Sequence, residues 1–497
     1  MINIKREIIK KQNNFWNHCL FHPTDAIEDP WGKRIIDRMA ADGAIKTIRF
    51  YSMFEDIVYT DESGTLLYDF RINDLRLDYM VEKGFDILLA YGSIPPCISA
   101  DPTDTTSVSK NKTRYKGKMW YAAPPRDYAL WEEVCYEYTR HITERYGIET
   151  VSRWQIQCFN EPDIPQFFLS TLPRDEHFAV QKRIEEYNKL YTAFEHGIRR
   201  VSDKIKIGGP ALAGIHDFLG AFLDHVKEND LKLDFISLHN YGTDPKNLNT
   251  GVERIDLNNN IRKQIEYDEL IRAHGFEDTE LVVDEWGMAS NGFYNIEECP
   301  SFICRETEVF SSYFAKLICE YIRHGFKMSK MLICLSGQHE MVVDFSGFRN
   351  FFTLNYIKKP IYNAYVLASK LGEGLLTEEH ENRNIYVVPT KKDDGSIAVL
   401  VTYSADDFSE DIPTVTEKFH FDEDITGKTV NIFCIDKENT NPYNLYKKMG
   451  IETPSEDDLK LLREEGNLKP VRTLKADKQG DISLNLAPNS TFLITIE

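Results

Sequence analysis

The chain has 497 residues, 42% apolar and 12% aromatic, and carries a net charge of −20 from 79 acidic and 59 basic side chains. That length excludes a single small domain and suits a (β/α)8 barrel of roughly 250 residues, enlarged by insertions, with a second domain attached. The acidic balance argues against nucleic acid or an anionic membrane surface as the main partner.

Nine cysteines run from Cys19 to Cys434 with no tight repeat. An odd number at irregular spacing predicts free thiols in a reducing compartment, not a disulfide framework. Cys299 and Cys304 have no partners at metal-ligand spacing and the 13 histidines are scattered, so neither a metal nor another cofactor is expected. The opening Met-Ile-Asn-Ile-Lys-Arg-Glu holds no apolar signal core, and no apolar run is long enough to span a membrane. A cytoplasmic protein is expected.

In chain order, Ile2–Ile9 reads as a strand preceding the main pattern; residues 1–12 are expected to join a C-terminal β-domain. From about residue 15 to 370, short apolar runs alternate with longer amphipathic stretches, the βα alternation of a parallel sheet. Strands are predicted at Phe15–Leu20, Ile45–Tyr51, Ile87–Tyr91, Trp154–Asn160, Ile205–Gly208, Phe235–His239, Leu281–Glu285 and Met331–Leu335. Helices are predicted at Arg71–Lys83, Tyr128–Tyr146, Phe178–Val201, Leu219–Glu228 and Thr307–His324, the last stopped by Gly325. Ile94–Trp120 and Gly287–Ile303 read as long insertions. The pattern predicts an α/β fold, a (β/α)8 (TIM) barrel over residues 13–372.

After Glu373 the character changes. Ile385–Val388, Ile397–Tyr403, Val430–Ile435, Ile482–Leu486 and Thr491–Ile496 are short and β-prone, with Asp-Asp-Gly, Thr-Gly-Lys, Gln-Gly-Asp and Pro-Asn-Ser turn chemistry between them. An accessory β-sandwich over residues 373–497 is expected, with Asn439–Gly466 as a polar loop holding one short helix.

Catalytic groups of such barrels lie at the C-terminal ends of the strands. Two glutamates close apolar runs. Glu161 follows Trp-Gln-Ile-Gln-Cys-Phe-Asn and is followed by Pro162, which cannot continue the ladder; Glu285 follows Leu-Val-Val-Asp. These ends belong to strands four and seven, three βα units apart, and so face one another across the mouth. A lone strand-end glutamate is more often salt-bridged or solvated than catalytic. A facing pair is the minimum apparatus for glycoside hydrolysis: one carboxyl neutral to protonate the leaving oxygen, the other ionised to attack the anomeric carbon. Burial and mutual repulsion can separate their pKa values.

Asn160-Glu161-Pro162 on strand four, with Glu285 closing strand seven, resembles the clan A glycoside hydrolases, and glycoside hydrolase family 39 in particular, which includes β-xylosidases and α-L-iduronidases. The resemblance continues in order through Ile48-Arg49, Pro124-Pro125-Arg126-Asp127-Tyr128 with Trp131, Arg145-Tyr146-Gly147-Ile148-Glu149 and Asn160-Glu161-Pro162-Asp163. It runs on through Phe167-Phe168, Ile207-Gly208-Gly209-Pro210-Ala211, Ser237-Leu238-His239 and Leu354-Asn355 to Lys359-Pro360.

The resemblance implies that Glu161 is the acid/base and Glu285 the nucleophile of a retaining enzyme, with carboxyl groups about 5–5.5 Å apart. It implies that Asn160 holds the 2-hydroxyl of the sugar, that Arg49 braces the nucleophile and that His239 lines the same subsite. Trp120, Tyr241, Trp286 and Phe168 are candidate sugar platforms. Where the xylosidases have Arg-Gly-His, Thr-Glu-Tyr-Asn and a strand-eight tryptophan, this chain has Arg49-Phe50-Tyr51, Asp284-Glu285-Trp286-Gly287 and Cys334-Leu335-Ser336-Gly337-Gln338. The altered walls make Gln338 a candidate contact and leave the sugar open. Arg349, in Gly347-Phe348-Arg349-Asn350, stands where an iduronidase-like arginine meets a sugar carboxylate.

The resulting expectation is an exo-acting, β-xylosidase-like retaining glycoside hydrolase, taking an oligosaccharide or small glycoside and assembling, by analogy, as a homo-oligomer. The alternatives are an α-L-iduronidase-like or other exo-glycosidase, an endo-acting glycanase, and a sugar-binding barrel of weak activity. An unrelated isomerase barrel lacks support, because no phosphate-binding glycine signature follows strands seven and eight.

Overall fold

The computed structural model describes the chain from Met1 to Glu497 except residues 22–29, 107–118, 215, 243–254, 291–294, 338–340, 342, 406–409 and 478–479. Eight parallel strands close a barrel in sequence order: His18–Leu20, Thr47–Tyr51, Asp86–Tyr91, Gln155–Cys158, Lys206–Leu212, Phe235–Tyr241, Glu280–Gly287 and Met328–Cys334. The last pairs with the first through Leu332–His18, Ile333–Cys19 and Cys334–Leu20. Strands with their outer face against helices and their inner face in the barrel are buried on both sides. Phe235–Tyr241 is accordingly buried at every residue.

The helices between strands start and stop where local chemistry dictates. Tyr128–Tyr146 begins at Asp127, whose carboxylate accepts the Ala129 N–H at 2.9 Å, and ends at Gly147. Glu308–His324 ends at Gly325, whose φ of 68° is the left-handed conformation that glycine adopts without a Cβ clash. Nearly the whole of this helix is buried, because it packs between the barrel and the second sheet. Ser312 Oγ lies 2.7 Å from Thr402 Oγ1, and Lys316 Nζ donates to the Ala405 carbonyl at 3.1 Å.

The second sheet has nine strands, in the order Pro470–Lys475, Thr429–Ile435, Ser490–Ile496, Ile397–Tyr403, Ile385–Lys391, Gly374–Glu379, Ile2–Lys11, Val415–Phe421 and Asp481–Leu486. Ile2–Lys11 runs antiparallel to Gly374–Glu379 and parallel to Val415–Phe421. The central strand Ile397–Tyr403 shows how the sheet serves two cores. Ile397, Val399 and Val401 face one apolar cluster with Ile2, Phe419, Ile482 and Ile494; Ala398 and Leu400 face the barrel's core. Burying each valine stabilises the fold by about 1.5–3 kcal/mol.

Asn439–Gly466 differs from the single short helix expected. It forms two helices, Pro442–Met449 and Glu456–Glu465. Asn441 caps the first, and Ser455 with Asp458 forms a reciprocal capping box at the second. Their apolar residues, among them Tyr443, Tyr446, Leu459 and Leu462, pack on Phe345 and Ile357. These helices therefore support the segment that carries Arg349 to the barrel mouth. All nine cysteines are free thiols. Among the described residues no helix is long and apolar enough to cross a membrane.

Candidate active site

Glu161 stands three residues beyond the fourth barrel strand. Phe159 and Glu161 have φ of 65° and 44°, a left-handed conformation that non-glycine residues hold only under constraint. The constraint is visible. The Phe159 N–H donates to the Tyr91 carbonyl at 2.8 Å and the Glu161 N–H to the Ala211 carbonyl at 2.9 Å. The backbone is thereby tied to the strands on either side, and the carboxylate is turned into the mouth. Asp163, fully buried, accepts the Ala213 and Gly214 N–H groups, both at 3.0 Å, which fixes the loop after strand five against the same turn.

Glu285 reaches the site through a slip in register. Leu238 pairs with Val283, but His239 pairs with Glu285, so Asp284 is an extra residue in the seventh strand. Such a bulge re-aims side chains. Here it sends two consecutive residues, Asp284 and Glu285, inward.

Arg49, on the second strand and wholly buried, gathers the site. Its NH1 lies 2.8 Å from Glu285 Oε1 and its NH2 3.0 Å from Asp284 Oδ2. NH2 also donates to Asn160 Oδ1 at 2.7 Å, and Nε to Gln157 Oε1 at 2.9 Å. The planar fork suits this task, since its fixed donors meet Glu285, Asp284, Asn160, Gln157 and the Tyr51 hydroxyl at once. Tyr241 donates its hydroxyl to Glu285 Oε2 at 2.7 Å and Tyr51 donates to Oε1 at 3.3 Å. Burial alone would raise the Glu285 carboxyl. His239, Arg49 and Arg349 together outweigh it and hold Glu285 below the usual carboxylate range.

Glu161 has the opposite balance. Burial pushes its carboxyl up, the contact with His239 only partly offsets this, and Glu285 and Asp163 add to the rise. His239 Nδ1 lies 2.8 Å from Glu161 Oε1, and Nε2 lies 3.5 Å from Asp284 Oδ2. Burial works against a charge on this imidazole, but the three surrounding carboxylates prevail and raise it well above its ordinary value. The side chains of Glu161 and Glu285 are 15% and 10% exposed, open to a ligand from the mouth alone.

One ligand-type atom each of Glu161, His239 and Glu285 falls within 4.8 Å of the others. A cation can span such a trio. The protein already meets the charge itself, with Arg49 on Glu285 and His239 on Glu161. The two carboxylates are thus close together and shifted in opposite directions, the tendency that one proton donor and one ionised nucleophile require.

The other predicted residues divide. Trp120 lies edge-on to Tyr51 at 5.5 Å and donates its indole N–H to the Phe167 carbonyl at 2.7 Å, so it stands behind the tyrosine that touches Glu285. Arg349 NH1 donates to the Tyr241 hydroxyl at 3.4 Å and to the Ser290 carbonyl at 2.9 Å. Two expectations are corrected. Trp286 is no sugar platform, because the strand turns it outward into the helix layer, where it stacks on Phe314 and donates to Tyr365 at 3.1 Å. Phe168 is fully buried against Phe159 and is plain packing. Gln338 lies outside the described residues. Three further residues enter: Tyr51, Gln157 and Asp284. Gln157 was visible in principle, since it is a polar residue alternating with Ile156 and Cys158 on a strand that must bury both faces.

A closed (β/α)8 barrel with two facing carboxylates shifted in opposite directions at its C-terminal mouth is the arrangement that glycoside hydrolysis uses. The chain belongs to glycosyl hydrolases family 39, whose model matches residues 1–482. It is 28% identical over 239 residues to a β-xylosidase of Caldicellulosiruptor saccharolyticus, a match covering 47% of this chain and 44% of that one. It is 25% identical over 218 residues to the α-L-iduronidase of Canis lupus familiaris, covering 40% and 28%. The chain therefore spans less than half the length of these curated relatives in the matched regions. In fold it is similar to a monomeric β-xylosidase from Caulobacter crescentus CB15, with a TM-score of 0.83, 19% identity and coverage of 100% and 99%.

Proposed function

We propose that this enzyme is a retaining exo-glycosidase that removes a terminal β-xylose-like sugar by double displacement. Glu285 attacks the anomeric carbon and Glu161 protonates the departing oxygen. Water then enters with Glu161 as base and releases the sugar with its configuration retained. The carrying observation is the pair itself: an oxygen of Glu161 and one of Glu285 within 4.8 Å, the close approach that suits a carboxylate pair acting on the same sugar from both sides.

The surroundings suit each step. Arg49 and Tyr241 fix Glu285 as an anion with its lone pairs aimed at the mouth. Arg49 takes the Asn160 carbonyl oxygen, which turns the amide N–H2 away toward a sugar hydroxyl. The β-xylosidase relative supports a xyloside, and the nine free thiols support a reducing compartment.

A second reading, a uronide substrate, is favoured by one observation. Arg349 reaches the tyrosine hydroxyl that binds the nucleophile, a position from which a guanidinium can meet a sugar carboxylate. The iduronidase relative supports it.

A panel of aryl β-xyloside, arabinoside, glucoside and α-L-iduronide, with the anomer first released followed by proton NMR, tests both. Release of the inverted anomer from any of them overturns the retaining mechanism. Binding of sugars without release of any aglycone would favour a sugar-binding barrel.

A further inference from the structure

Asp284 has no part in the double displacement, yet it is fully buried at the centre of the barrel mouth. Its Oδ2 accepts from Gln157 Nε2 at 2.7 Å, meets Arg49 NH2 at 3.0 Å and lies 3.5 Å from His239 Nε2. Its Oδ1 has no hydrogen-bond partner among the described residues. Donors from two strands therefore meet one oxygen, and His239 Nε2 from a third approaches it at ion-pair distance without a hydrogen bond. A buried carboxylate is costly to desolvate, and packing needs no charge here. The bulge in the seventh strand exists at this residue.

We propose that Asp284 is a positioning residue that holds a proton on the His239–Glu161 couple, so that the acid/base stays loaded through neutral and mildly alkaline pH. This rests on the reading of Glu161 as acid/base and Glu285 as nucleophile. The geometry is a chain from Asp284 Oδ2 to His239 Nε2, then from His239 Nδ1 to Glu161 Oε1. With an anion at Nε2, the imidazole keeps that N–H and offers Nδ1 to Glu161. One further proton is shared between Nδ1 and the Glu161 carboxyl.

The proton balance follows. As Glu285 forms its bond to the anomeric carbon, the bond to the leaving oxygen breaks and the shared proton ends on that oxygen. Glu161 is left as carboxylate, and His239 is left neutral with Nε2–H on Asp284. When water attacks, the proton it gives up returns to the couple and Glu285 is released.

The charges facing the couple are few. His239 faces Glu161, Glu285 and Asp284. Glu161 also faces Glu285, Asp163 and Tyr51. Asp284 faces Arg49 from the second strand and His239 from the sixth, with Tyr187 of helix His177–Arg199 behind it. Arg49 and Arg349 face Glu285. Each surrounding carboxylate favours retention of the proton, and Asp284 is the fully buried one that faces His239.

Asp284→Asn tests this. An asparagine can keep its carbonyl at the Oδ2 position, preserving the Gln157 and Arg49 bonds, while the charge is lost. On a glycoside with a poor leaving group, the alkaline limb of kcat/KM should move to lower pH by about one unit or more. A purely structural role would lower kcat/KM at every pH and leave the limb in place, which would overturn the proposal.

A second readout needs no turnover. In 15N-histidine-labelled enzyme, with the His239 signals assigned by their loss in His239→Gln, wild-type His239 should keep its proton on Nε2 with Nδ1 in the shared hydrogen bond to Glu161, and in Asp284→Asn the Nδ1 signal should reach that of an unprotonated ring nitrogen at lower pH. A wild-type His239 that carries its single proton on Nδ1 at pH 7, with Nε2 bare, overturns the proposal even if the variant does not fold. Failure of the underlying reading looks different. Turnover retained by both Glu161→Gln and Glu285→Ala would remove the acid/base assignment, and the catalytic meaning of Asp284 with it, whatever the spectra show.

Discussion

Asp284 and Glu285 are adjacent in sequence, yet both side chains project into the barrel, because the seventh strand gains one residue against the sixth between Val283 and Glu285. In a regular strand they would point to opposite faces. The slip sets a nucleophile candidate beside a second carboxylate, and Arg49 meets both, at 2.8 and 3.0 Å.

Glu285→Ala is expected to lose more than about 1,000-fold in kcat on every aryl glycoside, since no group replaces the attacking oxygen. Glu161→Gln is expected to lose about 100- to 10,000-fold on glycosides with poor leaving groups, and far less on dinitrophenyl glycosides, whose departure needs no proton. Steady-state kinetics across leaving groups of graded acidity check this. A uniform loss across the series would remove Glu161 from the acid role.

Arg49→Met leaves Asp284 and Glu285 buried without their guanidinium. Breaking a buried pair in this way is expected to cost about 3–5 kcal/mol in stability, read from urea unfolding. Arg49→Lys keeps the charge but cannot reach Glu285, Asp284, Asn160 and Gln157 together. It is expected to fold, with kcat reduced by about 100-fold through the misplaced nucleophile.

Stability should fall on both sides of neutrality. Glu285 and Asp284 titrate lower in the folded chain than in the unfolded one. Their contribution is present above about pH 4 and is lost as pH falls through the folded values. His239 and Glu161 titrate higher when folded. Their contributions are complete below about pH 6.5 and pH 4.3 respectively, and are lost as pH rises through the folded values. Urea midpoints measured from pH 2 to 9 should show both declines, and His239→Gln should flatten the alkaline one. An unchanged alkaline slope in that variant would contradict the charge on His239.

The barrel was legible in the sequence because each strand is a short apolar run and each intervening helix a longer amphipathic one. The carboxylate pair was legible because both glutamates close such runs. What periodicity cannot supply is the face. Trp286 follows Glu285 directly, and only the bulge and the aromatic bed of Phe314 and Tyr365 decide that it turns outward. Phe168, expected as a candidate sugar platform, is folded back on Phe159 by the turn after Glu161. The two helices within Asn439–Gly466 were hidden by their polar surfaces, although the Asn441-Pro442 and Ser455-to-Asp458 caps that start them are local signals.

Arg349 owes its position to a buried ion pair behind it. Lys359 Nζ lies 2.6 Å from Glu306 Oε1, both side chains are almost wholly buried, and Glu306 also accepts the Gly347 N–H at 2.7 Å. Lys359 donates to the Phe348 carbonyl at 3.0 Å, and Arg305 to the carbonyls of Gly347 and Ala289. The segment from Gly347 to Arg349 is thus clamped from behind by buried charges. Arg349→Met is expected to reduce kcat/KM on a uronide by roughly 10- to 100-fold, the value of one or two hydrogen bonds to a charged group, and to change an uncharged xyloside much less. Lys359→Met leaves Glu306 buried and unpaired, so it is expected to cost about 3–5 kcal/mol in urea unfolding and to impair both substrates by loosening the loop. Equal losses on uronide and xyloside from Arg349→Met would assign that arginine to the wall of the site and not to the reading of a sugar carboxylate.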